Sequence, residues 1–133
     1  MDSSIAFFAL LVLIVCGLIL VWFVLKRKRV FSKQEKRFFN LQWQIIKKQP
    51  DLKHAVLEAD KLLNMILEKK GYRGTLGEKL KVSAKLFSHL DAVWSAHKLR
   101  NKIAHELNFH VSLSEGKQAL NSFEKAFKDL QAL

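Results

Sequence analysis

Apolar and polar residues follow two different patterns along this chain. From Ile5 to Leu25 there are 21 consecutive apolar or small residues and no charge. At about 1.5 Å of rise per residue, a helix of that length matches a hydrocarbon core of roughly 30 Å. A cleaved signal peptide would want a basic start and a shorter apolar run. Here the start is Met1-Asp2-Ser3-Ser4, and Lys26-Arg27-Lys28-Arg29 follows the run at once. A core helix apolar on every side would need more chain to cover it than 133 residues supply. The expectation is a transmembrane helix.

After Arg29 the pattern becomes helical and amphipathic. Ser32-x-x-Glu35 reads as a capping box that opens a helix to about Lys48. Its Phe38, Phe39, Leu41, Trp43, Ile45 and Ile46 are expected on one packed face. Pro50 and Asp51 start a second helix, in which Ala55, Val56, Ala59, Leu62, Leu63, Ile66 and Leu67 keep the i, i+3, i+4, i+7 spacing. Gly71 closes it. A third helix is expected over 75–86, a fourth over 91–107, and a last over 113–131 behind a second capping box, Ser112-x-x-Glu115. No segment alternates as a strand does. The fold class is therefore all-α: an N-terminal transmembrane helix plus an up-and-down bundle of four to five helices. Residues 1–29 form the anchor with its basic flank, and residues 30–133 the helical domain.

Charge adds a direction. Asp2 is the only charge before Lys26, and the chain as a whole carries +11. The positive-inside rule places the domain in the cytoplasm, anchored to the cell membrane by a single pass. Between Lys26 and Lys48 stand nine cations and one acid. Lys26, Arg27, Lys28 and Arg29 lie beside the bilayer, where each basic residue is worth about 1 kcal/mol on an anionic leaflet. The high pI is thus largely juxtamembrane. Cys16, the lone cysteine, falls inside the apolar run and offers neither a disulfide nor a thiolate metal site.

Candidate chemistry concentrates in the fourth helix, His97-Lys98-Leu99-Arg100-Asn101-Lys102-Ile103-Ala104-His105. Val93, Ala96, Leu99, Ile103, Ala104 and Leu107 fall on one arc, expected to face the core. Arg100 falls inside that arc, and His97, Asn101 and His105 form an i, i+4, i+8 row along its edge. A cation on an apolar arc must be paired or reach a cleft. Arginine's planar fork of donors suits phosphate, and histidine exchanges protons near neutral pH. Arg100 could equally pair with Glu58 or Asp60, with each histidine making only a local hydrogen bond. Zinc is disfavoured because i and i+8 lie about 12 Å apart on a helix, so no metal or other cofactor is expected. Gly71, Gly74 and Gly77 read as a turn rather than a phosphate loop, because no strand precedes them.

Arg100-Asn101-x-x-x-His105, on a late helix of a small bundle, resembles the Arg-x4-6-His signature of the HEPN superfamily. The resemblance covers roughly residues 31–133, including Ala55 to Leu63, the glycine turn and Trp94-x-x-His97-Lys98-Leu99-Arg100-Asn101. It implies a metal-independent endoribonuclease acting as a homodimer, the two signature helices building one composite site. His105 would move a proton at the attacking 2′-hydroxyl or the leaving oxygen. Arg100 would stabilise the phosphorane, and Asn101 would position one of them. His97, Lys98 and Lys102 are added from the helix itself as RNA-binding residues. Nucleotide-silenced toxins of the family carry a tyrosine two places after the histidine; here the residue is Leu107. The readings left open are a membrane-anchored ribonuclease, a non-catalytic HEPN module for a nucleotide, RNA or protein partner, and a structural or lipid-binding domain.

Overall fold

The computed structural model describes residues 3–25 and 29–133; Lys26, Arg27 and Lys28 of the basic flank lie outside them. Every element among the described residues is helical: α1 (Ser3–Leu25), α2 (Lys33–Lys47), α3 (Leu52–Lys69), α4 (Leu76–Val82), α5 (Leu90–His105) and α6 (Leu113–Asp129). α1 is long and apolar enough to cross a membrane, and none of its 18-residue apolar window is buried by the rest of the chain.

Local chemistry sets the helix ends. Ser32 with Glu35 and Ser112 with Glu115 form reciprocal capping boxes, and Thr75 with Glu78 forms a third carrying the same sequence signal. Each accepts backbone N–H groups that a helix start would otherwise leave unpaired. Asp51 caps α3 through Lys53 N–H, so Pro50 stands before the cap rather than in the first turn. Gly71, at φ +100°, ends α3 by sending Gly71 N–H to Glu68 O and Tyr72 N–H to Leu67 O. The expected third helix is interrupted. Ser83 Oγ donates to Lys79 O at 2.6 Å, and the chain tightens into a 3-10 turn at Ala84–Leu86.

α3 is the central element, packed against α2, α4, α5 and α6, while α5 also packs on α6. All seven apolar residues expected on its face are buried. Phe39, Trp43 and Ile46 of α2 meet Phe123 and Phe127 of α6 around it. Trp43 stacks edge-on to Phe127 at 5.2 Å and donates its indole N–H to Glu124 Oε1 at 3.1 Å.

Two packing expectations fail. Phe38, Leu41 and Ile45 are exposed, because α2 turns only its Phe39–Trp43–Ile46 row to the core. In α5, Val93 and Ala96 are buried and Leu99 and Ile103 partly so, but Ala104 is exposed and Leu107 is 96% exposed. Leu107 leaves the helical arc because α5 ends at His105, Glu106 is extended and Asn108 adopts φ +56°.

Candidate functional site

The arginine on the apolar arc has a partner on the facing helix. Asp60 lies among Ala59, Leu62 and Leu63 on the buried side of α3 and is only 4% exposed. A carboxylate cannot remain charged there without compensation, and α5 supplies it twice. His97 Nδ1 donates to Asp60 Oδ1 at 2.7 Å, and Arg100 Nε stands 3.3 Å from Oδ2. Glu58, the other acid considered, pairs instead with Lys61 at 2.7 Å.

The arrangement closes into a ring. Arg100 Nη1 donates to Asn101 Oδ1 at 3.0 Å, and Asn101 Nδ2 reaches His97 Nε2 at 3.5 Å. A carboxylate oxygen accepts, so the imidazole turns an Nδ1–H toward Asp60, and Asn101 Nδ2 approaches the other ring nitrogen, Nε2. Asp60 therefore fixes the orientation of the His97 ring. The Arg100 contact is looser. Its Nε is buried and has no hydrogen bond, because the carboxylate lies within ion-pairing distance but off the N–H axis. The guanidinium keeps donors that no described residue takes up.

This ring forms one wall of an open cleft of about 460 Å³, with Asn64 and Lys61 of α3 beside it and Gly74, Thr75 and Gly77 opposite. The glycine turn is accounted for by backbone need, Gly71 and Gly74 both having left-handed φ near +100°. Its placement facing Arg100 is not something its spacing discloses. Behind the cleft, Lys79 is buried and held by Asn64 Oδ1 at 2.9 Å, with Glu68 at 3.8 Å.

The candidate residues divide among three places. His97, Arg100 and Asn101 share the cleft. Lys98 and Lys102 lie on the α6 side of α5, lining a separate opening of about 440 Å³ with Ser95, Glu115, Gln118 and Ser122. His105, the last residue of α5, is exposed, and its side chain makes no hydrogen bond among the described residues. Five residues along a helix correspond to about 140° of rotation, so Arg100 and His105 of one copy face different ways. Asp60 is the residue whose role the chain alone left undecided; an acid on the buried arc of one helix and an arginine on the buried arc of another is the signal that pairs them.

No group of three His, Cys, Asp or Glu side chains placed to hold a metal occurs among the described residues. The chain matches no protein-family model, no curated protein and no solved structure.

Proposed function

We propose that this chain is a membrane-anchored, HEPN-like domain that grips an RNA phosphate through Arg100. Paired with a second copy across α5, it cleaves the strand without a metal ion. α1 is the single span, and the basic flank keeps the domain on the cytoplasmic face. The observation that carries the reading is the Asp60–His97–Asn101–Arg100 ring on the wall of an open cleft. The ring holds a guanidinium in place yet leaves it donors to spare, as phosphate recognition needs. In the cleavage step the 2′-oxygen attacks phosphorus as its proton passes to a base, and the P–O5′ bond breaks as that oxygen gains a proton. His105 of the partner copy serves the proton transfers and Arg100 the charge on the non-bridging oxygens.

A second reading has an observation of its own. Among the described residues the His105 side chain has no orienting partner, whereas His97 is held by a buried carboxylate. In that reading the cleft binds RNA or a nucleotide phosphate and no bond is broken. The full chain in detergent micelles, incubated with mixed single-stranded RNA and excess EDTA, decides between them. The ribonuclease reading expects fragments ending in 2′,3′-cyclic phosphate, with loss on the order of 10²–10⁴ in His105→Ala and marked damage in Arg100→Lys. Equal background cleavage by wild type and His105→Ala removes the enzyme. RNA binding that weakens in Arg100→Lys then leaves the binding module.

A further inference from the structure

α2 carries a second apolar row that no described residue buries. Phe38 (46% exposed), Leu41 (58%) and Ile45 (49%) follow one another at i, i+3 and i+7 on the face away from Phe39, Trp43 and Ile46. Gln34 and Lys48 extend the same line at either end. Immediately beside it runs a row of Lys33, Arg37, Gln44 and, again, Lys48. Lys33, Arg37 and Lys48 are exposed and enter no ion pair among the described residues. An apolar row bordered by unneutralised cations is the pattern of a helix lying at the boundary between headgroups and acyl chains.

Covalent geometry brings this helix to a membrane. Leu25 ends α1, and Arg29 is already fixed to the domain. Its Nη1 donates to Lys69 O at 3.0 Å and its Nη2 to Glu35 at 2.6 Å, while Lys70 Nζ donates to Arg29 O at 3.1 Å. Four peptide links separate Leu25 from Arg29, so their Cα atoms lie no more than about 15 Å apart. The start of α2 and the end of α3 therefore stay within headgroup distance of wherever α1 leaves the bilayer. A tether this short cannot hold the domain off the surface.

We propose that α2 lies on the membrane that α1 spans, inserting Phe38, Leu41 and Ile45 among the headgroups of an anionic leaflet while Lys33, Arg37 and Lys48 meet lipid phosphates. The proposal rests on α1 being a span, and it fixes what that reading leaves free, the orientation of the domain. With α2 as the floor, α3 stands above it. α5, which packs on α3 and α6, is carried away from the lipid with its cleft open to the cytoplasm.

The test uses the full chain with Cys16→Ser, reconstituted in phosphatidylcholine vesicles with and without phosphatidylglycerol. An environment-sensitive fluorophore is placed on a single cysteine at Ile45 or, as control, at exposed Ser95 of α5. Expected is a blue-shifted Ile45 signal quenched by lipid nitroxides at headgroup depth. The quenching should weaken in pure phosphatidylcholine and in Arg37→Glu/Lys48→Glu, and Ser95 should remain unquenched. Circular dichroism confirms that the charge-reversed variant keeps its helices. A water-exposed Ile45 label in protein that resists carbonate extraction overturns the α2 proposal alone. Release by carbonate overturns the span and this proposal with it. Shielding of Ile45 that depends on protein-to-lipid ratio and is not quenched by lipid assigns the row to a second copy, which also overturns it.

Discussion

Replacing Asp60 by asparagine keeps the shape of the buried side chain and removes its charge, so it isolates what the carboxylate does. His97 can still donate Nδ1–H to the amide oxygen, but at neutral rather than charge-assisted strength, and Arg100 Nε then faces an amide nitrogen or nothing. Breaking a fully buried ion pair costs about 3–5 kcal/mol, and a hydrogen bond to a charged group contributes about 1.5–3 kcal/mol. Two features move this case toward the lower figures: the Arg100 side chain keeps 28% exposure, and its contact is an ion pair without a hydrogen bond. We expect a loss of about 2–3 kcal/mol, which for a domain of this size lowers Tm by roughly 8–20 °C. The assay is thermal unfolding of the full chain in micelles, followed by circular dichroism, with Arg100→Met and the double variant completing a cycle. Coupling of about 1–3 kcal/mol is expected between contacting partners. Additivity to within about 0.5 kcal/mol would mean that Asp60 does not hold Arg100, and the reasoning that makes the cleft a phosphate site would fail with it.

Three further outcomes follow from the same structure. Gly116 is buried in α6 where an added Cβ would overlap the Leu52 side chain, so Gly116→Ala should destabilise by about 1–3 kcal/mol despite alanine's better helix propensity; a raised Tm in the melt would show that Leu52 yields freely. Backbone and side-chain hydrogen bonds from Ser32 and Thr75 hold Glu35 and Glu78 below the usual carboxylate range, as the Ser112 hydroxyl and backbone do for Glu115. Depressed folded values mean that their contribution is complete above the ordinary value of 4.5 and is lost as pH falls through the lower folded values. Melts across that window should therefore show Tm falling on the acid side, and less steeply when all three glutamates are glutamine. A reporter fused after Leu133 should be cytoplasmic, and an extracytoplasmic signal would reverse the orientation drawn from the basic flank.

What could be read from the chain was what local physics decides. Capping boxes, the closing glycine of α3 and the apolar spacing of Ala55 to Leu67 are each set within a few residues, and each appears in the structure. α2 shows where that reasoning stops. Six apolar residues were compatible with one broad face, and only the positions of α3 and α6 decide that Phe39, Trp43 and Ile46 take the core. The end of α6 lacked a glycine to mark it: Gln131 adopts φ +57° and Ala132 N–H closes onto Phe127 O, two residues after the helix stops. At the site, Arg100 on an apolar arc demanded a partner, and Asp60 and Glu58 were both within the right helix. Choosing between them, and finding the 74–77 turn opposite, needed the packing of α4 and α5 on α3.

The claim that Arg100 is held ready for phosphate can be observed at the atom concerned. In full chain labelled with ¹⁵N-arginine, the Nε–Hε signal of Arg100, assigned by its disappearance in Arg100→Lys, should resist solvent exchange because Nε is buried. Addition of short single-stranded RNA should shift that signal while those of Arg37 and exposed Arg73 move little, and the shift should shrink as salt rises. An Arg100 signal unmoved at RNA concentrations that shift Arg37 or Arg73 would place the RNA on the basic surface and contradict the account.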